Sequence, residues 1–177
     1  AGTQAKALDL ITLLKQYLED YKEVYDYRNI EVNITEQDRF HIVMNESLAV
    51  ALLTNLLKNA FVHNMDGGRI QIIITKNSIT FRNSGSGHPL DEEHILTFYQ
   101  GSKKEGSTGL GLAIADSICR LQHLNIRYYF EQEEHCFEIL NDRFRHREHK
   151  GHGVRVNKIF IGYYKLIVQT ISPCPLW

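Results

Sequence analysis

Ser107-Thr108-Gly109-Leu110-Gly111-Leu112-Ala113-Ile114 is the stretch on which the reading of this chain turns. A glycine-punctuated segment runs directly into an apolar helix. Gly109 and Gly111 can take backbone angles closed to other residues and let a ligand approach the main chain. The unpaired N–H groups at the start of the following helix form an anion site suited to phosphate. Alone, the pattern reads equally well as a connecting turn.

Two upstream segments tip that balance. Leu52-Leu53-Thr54-Asn55-Leu56-Leu57-Lys58-Asn59-Ala60 reads as a strongly apolar helix bearing two asparagines four residues apart. That spacing puts both carboxamides on one face, and His63 continues the line one turn later. Ile79-Thr80-Phe81-Arg82-Asn83-Ser84-Gly85-Ser86-Gly87 is an alternating strand that ends in Asn-x-Gly-x-Gly, where the backbone must turn tightly.

Around these segments the periodicities describe a mixed architecture. Leu8, Ile11, Leu14, Leu18, Tyr21 and Tyr25 recur at helical spacing, predicting a helix over 5–26. Residues 30–34 alternate as a strand, and the asparagine helix is expected over 46–63, before the turn Asp66-Gly67-Gly68. A hairpin is expected from 69–75 and 78–82 across Lys76-Asn77. Residues 88–108 read as a mobile loop with a short helix near 92–96. A helix over 113–121 and a closing hairpin from 126–131 and 135–140 follow. The expected fold class is α+β, a two-layer sandwich with helices on one face of a mixed, mainly antiparallel sheet.

In this order the motifs resemble the ATP-binding catalytic domain of two-component sensor histidine kinases, within the GHKL (HATPase) superfamily shared with gyrase, Hsp90-type chaperones and mismatch-repair clamps. The asparagine helix resembles the N box, Asn83–Gly87 the G1 box and Thr108–Leu112 the G2 box. Ile95-Leu96-Thr97-Phe98-Tyr99-Gln100-Gly101-Ser102 resembles the F box of the ATP lid. The wording around Arg82–Gly85 and Phe98–Ser102 is closest to kinases of the Bacteroidetes type. The resemblance spans roughly residues 9–140 and implies a Bergerat-type ATP-binding fold, mainly antiparallel in its sheet, with ATP and Mg²⁺ as cofactors.

Residue by residue, the resemblance implies catalytic roles for Asn55 and Asn59. Mg²⁺ takes oxygen ligands and keeps several waters, and the Asn59 carboxamide would be its protein ligand. Asn55 stands where the clamp ATPases carry a glutamate; an asparagine cannot take a proton from water, which favours phosphoryl transfer over hydrolysis. Asn83 stands where most relatives place an aspartate facing the adenine amino group. Its carboxamide still accepts, without charge assistance. Gly85 and Gly87 would let the backbone pass close to the base. The nucleotide set is completed by His63, Tyr99, Lys103, Thr108, Gly109, Leu110, Gly111 and Leu112. Two departures remove phosphate contacts: Gln100 replaces a lid arginine, and Val62 replaces an N-box lysine. Lys103 and Lys104 are the nearest substitutes.

None of the nine histidines sits in the phosphoacceptor context His-Glu-x-Arg-Thr-Pro. The resemblance therefore implies a catalytic domain whose acceptor lies elsewhere: it would bind Mg-ATP and donate the γ-phosphate to a histidine on a separate dimerisation domain. Residues 1–26 are the one candidate for the end of a linker from it. The partners implied are that phosphoacceptor domain and, through it, a response regulator, in a full-length protein attached to a membrane. A degenerate nucleotide-binding or docking module without kinase activity is the alternative; a hydrolysing clamp is disfavoured by Asn55.

Composition fits one ordinary domain of 177 residues with 43% hydrophobic residues. No apolar run approaches the roughly 20 residues that span a bilayer, and no signal pattern opens the chain. Three cysteines without a CxxC pair point to a reducing, cytoplasmic setting. The net charge of −1 conceals an asymmetry: residues 1–140 hold 13 Lys+Arg against 19 Asp+Glu, residues 141–177 hold 7 against 2. The sign changes where the resemblance stops, so 1–140 is taken as the ATP-binding domain and 141–177 as a tail of unknown role. His146, His149 and His152 lie in that tail, three apart, and read as a solvated run rather than a metal site. Its basic run has only slight aromatic interleaving and the rest of the domain is acidic, so no nucleic-acid partner is expected. Residues 159–168 are apolar enough to form an added strand, a docking segment or an aggregation-prone stretch.

Overall fold

The computed structural model describes residues 6–90 and 111–141, together with the backbone of strands at 158–160 and 167–169. The expected loop over 88–108, beyond Leu90, lies outside the described residues.

Strand β1 (Lys6–Leu8) is followed by helix α1 (Leu10–Val24), a 3-10 turn (Asp26–Arg28), β2 (Glu31–Glu36) and β3 (Ile42–Met44). Helix α2 (Glu46–Val62), β4 (Arg69–Ile74) and β5 (Ser78–Asn83) come next. Helix α3 (Gly111–Leu121) leads into β6 (Leu124–Glu131) and β7 (Glu134–Asn141), with β8 (Lys158–Phe160) and β9 (Ile167–Gln169) beyond. The main sheet has the order β2-β4-β5-β7-β6-β8-β9. Among the described strands only β2 and β4 pair in parallel; their connection passes through β3 and α2.

The expected helix over 5–26 needs correcting at its start. Asp9 caps α1, its carboxylate accepting from the amides of Ile11 and Thr12, and that cap ends the helix there. Residues 6–8 instead pair antiparallel with β3. The asparagine helix follows the expected span closely, with Asn45 as its cap. Its Leu52, Leu53, Leu56, Leu57, Ala60 and Phe61 are all buried. Opposite them, Ile70, Ile72 and Ile74 of β4 pair in register with Asn83, Phe81 and Ile79 of β5. Those in turn face His135, Phe137 and Ile139 of β7. Alternation along each strand sends these residues to the helical side, giving one core between helices and sheet. The architecture is the α+β two-layer sandwich that the periodicities predict.

The other sheet face carries charge. Arg82 donates to Glu134 at 2.7 Å and to Glu131 at 3.2 Å, Arg69 also pairs with Glu134, and Arg127 pairs with Glu138 at 2.7 Å. The apolar part of the tail extends the sheet: β8 pairs with β6, and β9 with β8.

Candidate nucleotide site

Helix α2 presents Asn55 and Asn59 on one line, half-buried beside the core. The Asn55 amide donates to the carbonyl of Ala51 at 2.7 Å, which holds its Oδ1 in a fixed direction. That oxygen points at the start of α3: a Cβ built on Gly111 would lie 3.0 Å from it. Gly111 thus opens α3 against Asn55, and Leu112 beside it is buried in the core. Asn59 makes no side-chain hydrogen bond among the described residues. His63 caps the C-terminus of α2, its amide donating to the Asn59 carbonyl at 3.1 Å.

The end of α2 is tied firmly to the exit of β5. Arg28 donates to the carbonyl of Asn64 at 2.7 Å, to that of Phe61, and to Asp66 at 2.7 Å. A cation there suits the carbonyl end of a helix. Asn64 accepts from the Ser84 hydroxyl at 2.7 Å, and Ser84 accepts from the Arg69 amide at 2.7 Å. Gly68 lies under this knot; a Cβ on it would fall 2.8 Å from the Met65 carbonyl and nearer still to Asn64 and Ser84. No other residue fits there.

Asn83 ends β5 on the helical side and is 2% exposed. Its amide donates to the Ser84 carbonyl at 2.9 Å, while its Oδ1 has no hydrogen-bond partner among the described residues. A buried acceptor without a donor is unusual and calls for a ligand or water. Gly85 follows in a crowded position, where a Cβ would lie 3.0 Å from the His135 ring and 3.1 Å from the His63 carbonyl. Gly87 sits in open space, so bulk alone does not demand glycine there. Tyr99, Lys103, Thr108, Gly109 and Leu110 lie outside the described residues.

His135 belongs to none of the sequence motifs. It pairs directly across from Asn83 in register and is 5% exposed. Burial holds its imidazole below the ordinary histidine value, with the bond to the Ser86 carbonyl working the other way. The phenol of Tyr128, beside it on β6, is pushed up to about 12 by burial. The available signal was the period of β7, since 135, 137 and 139 share the core-facing line. A histidine on that line is buried and must find partners.

Among the described residues no three His, Cys, Asp or Glu side chains gather into a metal cluster. The donor set offered by α2 is a carboxamide oxygen, which suits an oxygen-seeking cation that retains water and phosphate ligands.

Residues 44–160 match the family described as histidine kinase-, DNA gyrase B-, and HSP90-like ATPase. The chain belongs to that family. It is 32% identical over 138 residues to the sensor histidine kinase YvrG of Bacillus subtilis, covering 70% of this chain and 24% of that protein. It is 30% identical over 122 residues to the heme sensor protein HssS of Staphylococcus aureus, covering 66% of this chain and 26% of the relative. The chain therefore spans about a quarter of the length of these curated relatives. Among solved structures, the catalytic domain of histidine kinase ThkA superposes with a TM-score of 0.66 at 21% identity, covering 77% of this chain and 93% of that one. The cytoplasmic segment of histidine kinase QseC gives 0.60 at 17% identity, covering 77% and 76%. This ATPase-family fold and the motif order agree. Among the described residues no helix is long and apolar enough to cross a membrane.

Proposed function

We propose that this chain is the catalytic domain of a two-component sensor kinase: it binds Mg-ATP along the strip from Asn55 to Asn83 and presents the γ-phosphate to a histidine on a separate dimerisation domain. The observation that carries this reading is the buried, unpartnered Oδ1 of Asn83. In this reading it accepts from the exocyclic amino group of the base, and the thin backbone at Gly85 supports that approach.

In this reading Asn59 holds Mg²⁺ through its carboxamide oxygen, and the metal supplies charge neutralisation between phosphates when bound. The amide groups opening α3 at Gly111 face the phosphates. Asn55, fixed by Ala51, orders that junction and offers no general base, so water is not activated there. The domain's contribution is then positioning and electrostatics, which suffice for phosphoryl transfer to a presented nucleophile. The similarity to sensor kinases supports an acceptor domain and a response regulator as partners of the whole protein, at a cytoplasmic location. The tail from 141 onward is assigned no part in nucleotide binding.

The neutral Asn83 favours one other reading, a nucleotide-sensing module without transfer activity. Calorimetric titration of ATP with and without Mg²⁺ tests the shared part. Asn59→Ala should weaken Mg-ATP binding about five- to 150-fold, the cost of a lost charge-assisted contact, with the fold unchanged. Equal affinity in a folded variant removes Asn59 from the site. Transfer to an added acceptor domain separates kinase from sensor.

A further inference from the structure

Between Asn83 and the end of the described segment at Leu90, the chain leaves the sheet and crosses the hairpin of β6 and β7. Two side chains of that hairpin hold it. His135 Nε2 lies 3.2 Å from the Ser86 carbonyl and 3.4 Å from the Ser86 hydroxyl. His135 Nδ1 lies 2.9 Å from the Tyr128 hydroxyl, and that hydroxyl accepts from the Leu90 amide at 2.9 Å.

The shorter contact, to the Ser86 carbonyl, orders the donors and acceptors. The Ser86 carbonyl can only accept, so Nε2 carries the hydrogen. A neutral imidazole then accepts at Nδ1, and Tyr128 must donate to it. The Tyr128 oxygen is left to accept from Leu90. Every group in the relay from Leu90 through Tyr128 and His135 to Ser86 is satisfied. A proton on Nδ1 would make the Tyr128 oxygen the acceptor for both the ring and Leu90, and leave the phenol hydrogen without its acceptor.

We propose that His135 and Tyr128 are positioning residues for nucleotide binding, the neutral imidazole and the phenol together fixing Ser86 and Leu90 so that the backbone after Asn83 is held ready for the base. The inference rests on the nucleotide reading of the Asn83 strip. Asn83 is the cross-strand partner of His135, and Gly85 packs on its ring, so a shift of the ring reaches the proposed base pocket directly.

No charged side chain faces the imidazole among the described residues. From β5 it meets Asn83, from β6 Tyr128 and Phe130, and from the crossing segment Gly85 and Ser86. From α2 the His63 carbonyl reaches Gly85. Glu131 and Glu134 are engaged by Arg82 and Arg69 on the opposite sheet face, and His88 is exposed. Burial disfavours the cation, so the relay is intact at neutral pH and is lost as the pH falls through the lowered histidine value.

The test uses the whole chain with Mg-ATP as probe, comparing wild type, His135→Leu, His135→Gln and Tyr128→Phe, each checked for fold by circular dichroism. At pH 7.5, His135→Leu and Tyr128→Phe should each weaken binding about fivefold, the effect of one ordinary hydrogen bond. His135→Gln, which can both donate and accept, should recover most of that loss. As the pH is lowered from 7.5 through the depressed histidine range, the wild type should lose up to about fivefold more affinity than His135→Gln, the same single bond. ATP protonation is common to both proteins and cancels. Protection of the Leu90 amide, taken relative to its intrinsic exchange rate at the same pH, should be lower in His135→Leu and Tyr128→Phe, and should fall in the wild type as the pH is lowered through the histidine range. Should the wild type bind ATP while all four proteins share one affinity and one pH profile, the positioning role is wrong. Should the wild type bind no ATP at pH 7.5, the nucleotide reading itself fails and the positioning role with it.

Discussion

Asn55 Oδ1 and Gly111 meet with room for no more than a hydrogen: an added Cβ would stand 3.0 Å from that oxygen. The carboxamide cannot swing aside freely, because its amide is committed to Ala51. Gly111→Ala sets two effects against each other. Alanine favours a helix by up to about 1 kcal/mol over glycine, while the contact pushes α3 from α2. We expect stability within about 1 kcal/mol of wild type by that offset, and Mg-ATP affinity reduced at least fivefold, measured by urea unfolding and calorimetry respectively. Unchanged affinity would show that the junction is not part of the phosphate site.

Gly68 has no such freedom. Its hydrogen already faces Asn64, Ser84 and the Met65 carbonyl. Gly68→Ala should cost about 1–3 kcal/mol from overpacking, and a further ~1 kcal/mol if the Ser84 to Asn64 bond opens. Urea midpoints report the total, and a loss under 0.5 kcal/mol, roughly the level of a neutral surface change, would contradict the packing described.

Asn83→Asp should act differently on the free and bound protein. A carboxylate keeps the acceptor but turns its second oxygen toward the Ser84 carbonyl, where the amide now donates. The free protein should lose about 1–3 kcal/mol, as for a buried unsatisfied group. Preference for ATP over GTP should rise, since the remaining acceptor gains charge. Competitive titration of both nucleotides checks this; a fall in ATP preference in a folded variant would take Asn83 out of base recognition.

The sheet's charged face makes stability depend on acid. Burial opposes ionisation of Glu134, but hydrogen bonds and attraction from Arg69 and Arg82 outweigh it, so the carboxyl is held below its usual value. With a folded value below the unfolded one, the contribution is complete above the ordinary glutamate range. It is lost as pH falls through the lowered value. Glu134→Gln should cost about 1–3 kcal/mol at pH 7, as when a hydrogen bond to a charged group is lost, and should flatten the decline of Tm between pH 5 and 3, roughly the window of carboxylate linkage. Parallel wild-type and variant curves would assign the acid sensitivity elsewhere.

Much of this fold was open to reading because its signals are local. Leu52, Leu53, Leu56 and Leu57 mark α2 without help from elsewhere, and the alternation of Ile70, Ile72 and Ile74 marks β4. The three residues of β1 carry no such pattern; they are a strand only because β3 pairs with them, and β3 is far along the chain, its Met44 opposite Lys6 at a separation of 38 residues. The site divides the same way. Motif spacing picks out Asn55, Asn59, Asn83 and Gly85 as candidates. Tyr128, His135, Ser84, Asn64 and Gly68 act through contacts between elements, and one-dimensional spacing does not record which strands become neighbours.

The parallel pairing of β2 with β4 has a consequence for how the protein opens. A parallel pair needs a long crossover, and here α2 is part of that crossover. The helix that carries Asn55 and Asn59 is thus also the tether that brings the sheet's outer strand home. Docking of β2 beside β4 closes the loop that holds the asparagine helix, so a ligand that steadies the helix should favour the docked strand. A small ligand bound near the middle of the molecule would be felt at its rim, as slower exchange of the amides that join residues 31–36 to residues 69–74.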